Sequence, residues 1–292
     1  MRSHLAAISI LSLSVAACGG EEQAEPVANT AEYTLDTCET NIADDVPAFY
    51  KKYFKCVSIT RSGDAVVISS KGMPPHKSFY YAGASANHTD YVSGGEGYYQ
   101  NPNFIAEQNI RMTIPDAPTA NGLTIDDSLV DGVVGSSMNE YGMGAAGVAL
   151  DSVALFNPLA APGDDIEDEL YSFDPYLGHP EMRGTYHYHT VTAGPLEVLA
   201  AAGLTTSTSP GSATVEVYGM MCDGTLVLGC TELDGSAPDG AGFDSQNGHK
   251  HDLVDGDGTT HFTDRYHTHI CWDQFGNHRF TPEIQYYSAC SI

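Results

Sequence analysis

A short pattern, Gly-His followed by Tyr-His-x-His, occurs twice in this chain and limits its folding more than any other feature. The first copy comprises residues 178–179 and 186–189, and the second comprises residues 248–249 and 266–269. Alternate side chains of a β-strand point to the same face of its sheet. Each copy therefore predicts a strand with two imidazoles on one face and with the intervening residues on the other.

The rest of the chain is also typical of β-structure. Thirty glycines and fifteen prolines favour turns over long helices. Short helices are predicted over residues 46–54 and 194–202. We predict a mainly β fold, a single β-sandwich or irregular barrel-like domain with long loops, over residues 33–292. The predicted strands are residues 57–61, 65–70, 111–114, 148–156, 214–218 and 225–228.

The cysteines indicate an oxidising compartment. Apart from Cys18 there are six, and an even number in an exported chain predicts three disulfides. Short-range pairing is favoured among the possible connectivities, which makes residues 33–56 a disulfide-linked N-terminal segment. None of the six lies in a CxxC pair, which argues against thiol redox catalysis and cysteine-bound zinc. The expected bridges are Cys38–Cys56, Cys222–Cys230 and Cys271–Cys290.

The N-terminus predicts export. Arg2 precedes a mostly apolar stretch over residues 5–15, which is too short to span a membrane. Residues 15–18, Val-Ala-Ala-Cys, resemble the bacterial lipobox, in which cleavage leaves the cysteine to be acylated. We predict a lipoprotein signal peptide over residues 1–17, lipidation at Cys18, and a flexible tether over residues 18–32. Gly19 favours the outer membrane of the cell envelope. The alternative is an ordinary secretory signal.

The formal net charge of −26 bears on the partners of the chain. Such a surface repels nucleic acid and anionic lipid and attracts cations. The carboxylates are scattered, so most of them are interpreted as solubilising. The expected partners are a metal ion and the membrane that holds the lipid anchor, and nucleic acid is excluded.

His187 and His189 form the first candidate metal site. A His-x-His strand presents two imidazoles together, and neutral imidazole is the commonest protein metal ligand. His179, eight residues before His187, is close enough for a hairpin to return it as a third ligand. Without a free thiolate, such a site favours zinc or copper. The alternative is a half-exposed strand with hydrogen-bonded histidines.

The second Tyr-His-x-His copy lies in a denser histidine cluster. Two same-face pairs in adjacent strands could offer four imidazoles to one ion; the alternative is a polar loop on an acidic surface. Residues 255–258, Asp-Gly-Asp-Gly, add calcium as a further option. An EF-hand loop beginning at Asp255 needs Gly at its sixth position and Glu at its twelfth. Thr260 and Tyr266 occupy those positions, so these residues do not form an EF-hand motif. The cluster comprises His249, His251, His261, His267 and His269.

Residues 186–189 are also where the chain resembles the YHYH-domain proteins. The resemblance includes residues 67–76, which match a strand followed by a Gly-x-Pro-x-His turn, and residues 147–158 and 217–224; it spans about residues 65–275. It implies an exported β-rich domain with a histidine site and no secure activity, and it adds His76 to the candidate metal ligands. Relatives often carry a Cys or Asn immediately before the Gly-His pair that corresponds to Gly178–His179, and this chain departs from that pattern.

Three functions remain open from the sequence. The first is a cell-envelope protein that binds zinc or copper through histidines. The second is a metal-dependent enzyme, a hydrolase or oxidase, with Asp174 or Glu181 as a base beside three histidines and a water. The third is a structural or adhesion module. The motifs of serine hydrolases, zincins and P-loop proteins do not occur in the chain.

Overall fold

The computed structural model of the chain describes residues 25–130, 139–160, 166–271 and 279–292. The predicted signal peptide and Cys18 lie outside these residues. Among the described residues there is no helix with both the length and the apolar character needed to cross a bilayer.

The first of two sheets has four strands, in the order β1-β2-β3-β4. Strand β1 is parallel to β2, and the other neighbours are antiparallel. Ile59, Ile68 and Met112 are fully buried on its inner face. The strands are β1 (Asn41–Ile42), β2 (Val57–Ser62), β3 (Ala65–Ser70) and β4 (Ile110–Pro115).

The second sheet has eight strands, in the order β11-β12-β10-β9-β5-β6-β8-β7. The first sheet and this one contribute to one hydrophobic core. The predicted mainly β fold is confirmed, as two mixed sheets rather than a closed barrel. The strands are β5 (Ala145–Ala149), β6 (Ala154–Phe156), β7 (Gly178–Pro180), β8 (Tyr186–Tyr188), β9 (Val217–Met221), β10 (Leu226–Leu228), β11 (Gly248–Val254) and β12 (Thr260–His269).

The eight-stranded sheet repeats one four-strand unit on either side of its centre. Outward from the antiparallel β5–β9 pair, β6-β8-β7 on one side corresponds to β10-β12-β11 on the other. On both sides the successive pairings are antiparallel, parallel and antiparallel. The twofold sequence pattern therefore reflects a repeated supersecondary unit.

The glycine of each Gly-His pair has a steric reason. A Cβ at Gly178 would lie 2.6 Å from the Tyr186 ring, and one at Gly248 would overlap the Tyr266 ring. Each tyrosine ring crosses the neighbouring strand so that its hydroxyl can donate to an aspartate, at 2.8 Å to Asp174 and at 2.7 Å to Asp244. Glycine leaves room for this crossing in both halves.

Short helices and turns complete the fold. The helices are α1 (Ala48–Tyr53), α2 (Ile166–Glu169) and α3 (Ala193–Ala201), with 3₁₀ turns at Leu170–Ser172 and Gly240–Gly242. The two predicted helices are confirmed as α1 and α3. The single strand predicted over residues 148–156 is wrong. Ser152, with φ of +78°, and the Ala149 N–H to Val153 O hydrogen bond turn the chain back between β5 and β6.

Three disulfides are present, and only one of the expected pairings is correct. Cys38–Cys56 is confirmed, whereas the other bridges are Cys222–Cys290 and Cys230–Cys271. Strands β10 and β12 are parallel neighbours, with Leu228 opposite His269. Cys230 and Cys271 each follow two residues later, so the two chain segments leave the sheet side by side.

The buried carboxyl of Asp151 makes the stability of the fold depend on pH. Its Oδ2 accepts the Tyr188 hydroxyl at 2.9 Å, and burial raises the pKa of Asp151 to about 7. The unfolded chain releases this proton near pH 3.8. The folded chain binds more protons between those values, so this group's contribution is greatest at low pH and falls as pH rises towards 7.

We expect Asp151→Asn to stabilise the protein above pH 7, by up to about 4 kcal/mol. The side-chain amide introduced by this substitution can donate to the Tyr188 oxygen, which frees the Tyr188 hydroxyl to donate to His76 Nε2, 3.0 Å away. Urea unfolding in EDTA at pH 4, 6 and 8 measures the difference, with exposed Asp36→Asn as the control. Equal pH profiles for the variant and the parent would contradict the expectation.

Candidate metal centres

The first site comprises His179, His187, His189 and Glu169. Strands β7 and β8 pair His179 directly with His187, and His189 follows the end of β8. One nitrogen from each imidazole lies within 4.8 Å of the others. Tyr186 and Tyr188, which alternate with these histidines, are fully buried. The alternation of side chains along β8, together with its pairing to β7, thus brings three imidazoles together beside the core.

The Nδ1 atom of each imidazole in the first site is already engaged. His187 Nδ1 lies 2.9 Å from Thr185 O, and His189 Nδ1 lies 2.5 Å from Asn157 O. His179 Nδ1 lies 2.6 Å from Ser172 Oγ, whose own proton goes to Glu169 O. Carbonyl oxygens only accept, and Ser172 has donated its proton, so each Nδ1 carries a hydrogen. In a neutral ring this leaves the lone pair on Nε2.

Two of these lone pairs face each other. His187 Nε2 and His189 Nε2 are 3.0 Å apart, and both side chains are almost fully buried. Burial lowers the pKa of His187 well below 6.5 and that of His189 to about 4, so both are neutral at pH 7. Two tetrahedral ligands at zinc–nitrogen distances lie roughly 3.3 Å apart. The spacing therefore suits two ligands of one cation.

Glu169 supplies a carboxylate that the sequence did not predict. Its Oε2 lies 3.4 Å from His179 Nε2 and 3.9 Å from His189 Nε2. Burial acts to raise the pKa of Glu169, but the neighbouring His179 and His189 lower it overall. Glu169 ends α2 in an acidic run, where nothing in the local pattern distinguishes it from its neighbours.

Aromatic rings enclose the first site. The Phe156 ring stacks on His187 with centroids 3.7 Å apart, and the Phe173 ring contacts His179 at 4.7 Å. Such walls exclude water and fix the ring orientations. The first site is therefore an enclosed, preorganised set of donors.

The second site comprises Glu232, His249, His251, His267 and His269. Strands β11 and β12 pair His249 with His267, and His249 Nε2 is 3.2 Å from His269 Nε2. As in the first site, backbone carbonyls engage Nδ1, at 3.0 Å from Arg265 O for His267 and at 2.9 Å from Gly229 O for His269. Gly229 follows β10 as Asn157 follows β6. The repeated unit therefore builds the same imidazole anchoring twice.

Glu232 lies among the four imidazoles of the second site. Its Oε1 is 3.2 Å from His249 Nε2, and its Oε2 is 3.4 Å from His267 Nε2. Both Glu232 Oε2 and His267 Nε2 are buried without a hydrogen-bond partner. Burial lowers the pKa of His267 to about 4. A neutral imidazole lone pair then faces a carboxylate oxygen, an arrangement that a shared cation would stabilise.

The second site opens to a cavity and the first is more enclosed. A cavity of about 430 Å³ reaches Glu232, His249 and His251, and it is also lined by Asp234, Asp239 and Asp252. The His251 side chain is 41% exposed, whereas the first-site imidazoles are at most 8% exposed. A small ligand therefore has a route to the second site.

Two predicted histidine ligands lie elsewhere. His76 stacks on Tyr176 at 3.5 Å, and its Nε2 contacts the hydroxyl of Tyr188, a residue that alternates with the first-site histidines. His261 Nε2 pairs with Asp255 at 2.8 Å. The structure does not bring either residue to a metal site.

The calcium option at residues 255–258 conflicts with an existing ion pair. The Lys52 ammonium lies 2.7 Å from Asp255 and 2.8 Å from Asp257. A lysine therefore already neutralises the two carboxylates that a calcium ion would need.

The two carboxylates considered as bases have structural partners instead. Asp174 accepts from the hydroxyls of Ser78 and Tyr186 in the core. Glu181 accepts from the backbone N–H groups of Arg183 and Thr185. Among the described residues, the carboxylates that lie beside the imidazoles of the two sites are Glu169 and Glu232.

Comparison of the chain with protein-family models, with curated proteins and with solved structures finds no match. The site geometry is therefore the basis for a functional conclusion.

Proposed function

We propose that this chain is a cell-envelope lipoprotein of the YHYH-domain type that binds divalent transition metal ions at its two histidine sites. In the second site His249 Nε2 lies 3.2 Å from His269 Nε2. One observation carries the proposal: in the first site the Nε2 atoms of His187 and His189, which both hold lone pairs, face each other 3.0 Å apart. Hydrogen bonds at Nδ1 fix this arrangement, and a shared cation removes the repulsion.

The donor set favours zinc or copper. Both sites offer imidazole nitrogens and one carboxylate, and every cysteine in the described part of the chain is in a disulfide. Calcium and magnesium prefer sites made wholly of oxygen donors. Storage or capture of an envelope metal fits these features.

Metal analysis of the purified protein tests the proposal. The mature chain is stripped with a chelator, loaded with Zn²⁺ or Cu²⁺, desalted and measured by plasma mass spectrometry. We expect at least one tightly held ion in each site. A chain that retains no metal after loading would overturn the proposal.

A metal-dependent hydrolase is the second candidate, and the cavity at the second site favours it. A metal that faces a cavity has room for a water beside its protein ligands. Zinc-dependent hydrolysis of simple esters or phosphoesters that is lost in His249→Ala and kept in His187→Ala would support this candidate. No turnover by the loaded protein would leave binding as the function.

Replacing Cys18 with alanine should release the protein from membranes. The reason is the lipobox-like residues 15–18 followed by a polar tether. Fractionation of cells that express the parent and Cys18→Ala measures the change, with Cys38→Ala, which removes a cysteine outside the lipobox, as the control. Sedimentation of Cys18→Ala with membranes to the same extent as the parent would contradict lipidation.

A further inference from the structure

The second site has more donors than the first. Three imidazoles and Glu169 suit one four-coordinate ion in the first site. The second site adds His251, which lies two residues after His249. The equivalent position in the first half is Glu181, whose carboxylate binds backbone N–H groups. The two halves therefore differ by one metal-binding side chain.

The carboxylate of Glu232 divides the four imidazoles into two pairs. Its Oε1 lies 3.2 Å from His249 Nε2 and 3.5 Å from His269 Nε2. Its Oε2 lies 3.3 Å from His251 Nε2 and 3.4 Å from His267 Nε2. Each carboxylate oxygen thus has its own pair of nitrogen donors, as in a carboxylate that bridges two metal ions.

The surroundings supply the negative charge that two cations need. Neutral imidazoles offset none of the charge of two divalent ions, and Glu232 offsets one unit. Asp234, Asp239 and Asp252 line the cavity that opens onto the same site. These carboxylates lower the electrostatic cost of a second cation.

We propose that the second site holds two divalent transition metal ions bridged by Glu232. One ion binds His249, His269 and Oε1, and the other binds His251, His267 and Oε2. In proteins such pairs are typically about 3.5–4 Å apart. The positions that the protein leaves unfilled face the acidic cavity. The inference rests on the proposed function, because it requires that the histidine sites bind metal.

Copper stoichiometry and spin coupling test the pair. The first site is removed by His179→Ala, His187→Ala and His189→Ala together, and the protein is loaded with Cu²⁺, desalted and analysed by plasma mass spectrometry and electron paramagnetic resonance. We expect two coppers per chain and a spectrum of two coupled Cu²⁺ ions. The parent chain, loaded in parallel, should bind three coppers, which gives a measurement independent of the folding of the triple variant.

Two further variants distinguish a pair from a crowded single ion. Adding His251→Ala to the triple variant should reduce the bound copper from two ions to one and give the spectrum of an uncoupled Cu²⁺ ion. The positional counterpart, Glu181→Gln, should leave two coupled ions and serves as the matched control. If the triple variant, which keeps His251, bound one uncoupled copper, or two coppers without coupling, the bridged pair would be overturned and the proposed function would still stand. No bound copper in the parent chain would overturn both.

Discussion

The double variant His187→Ala/His189→Ala is expected to lose metal binding at the first site and to keep it at the second. The two Nε2 atoms that lie 3.0 Å apart are both removed, and His179 with Glu169 cannot complete a four-coordinate site. The affinity of the first site should fall by more than the roughly 100-fold that loss of an outer-shell partner costs. Titration of the stripped protein with Zn²⁺, followed by calorimetry, measures the loss.

A matched histidine variant separates ligand loss from a general effect. His88 lies in neither site, and its Nδ1 contacts Tyr81 O. His88→Ala should bind as many ions as the parent. Circular dichroism of the double variant should remain that of a β-protein, because the buried Tyr186 and Tyr188 are unchanged. Parent-like affinity at every site in the double variant would contradict the assignment of these ligands.

Metal binding is expected to stabilise the fold strongly. Each site needs a paired β-hairpin and a carboxylate from outside it, so the ion binds the folded chain more tightly than the unfolded one. At a free metal concentration 1,000 times Kd, one site contributes about 4 kcal/mol. For a chain of this size that raises the Tm by roughly 10 °C per occupied site. Calorimetric melting with excess Zn²⁺ and with EDTA measures the shift.

The variants divide this stabilisation between the sites. The parent should show the full shift, and His187→Ala/His189→Ala should retain only the part that comes from the second site. The Cys38→Ala variant, which loses a disulfide that is part of neither site, should have a lower Tm in EDTA but the same increment on adding zinc. Equal melting of the parent with and without metal, at proven occupancy, would show that the sites do not stabilise the fold.

The sequence predicted the histidine strands because their signal is local. In residues 186–189 alternation alone places His187 and His189 on one face, and the strand pairing then brings His179 opposite His187. The carboxylate ligands carry no such signal. Glu169 and Glu232 precede His179 and His249 by 10 and 17 residues, outside the strands, and only the folded loops bring them to the imidazoles.

The pairing of the cysteines and the position of His76 also depend on contacts that the local sequence pattern does not encode. Cys230 and Cys271 meet because β10 and β12 are parallel neighbours, although β11 separates them in sequence. Spacing along the chain favoured shorter loops and so gave two wrong bridges. His76 was a candidate through resemblance alone. Its side chain contacts Tyr188, which alternates with the ligand histidines, so strand alternation separates it from them.

Anomalous diffraction from crystals of the metal-loaded protein locates the ions directly. Data collected at the zinc or copper absorption edge should show density about 2.0–2.1 Å from Nε2 of both His187 and His189. Further density should lie beside Glu232, within bonding distance of the Nε2 atoms of the surrounding histidines. Metal bound elsewhere on the chain, with the Nε2 atoms of His187 and His189 left uncoordinated, would contradict the proposed metal centres.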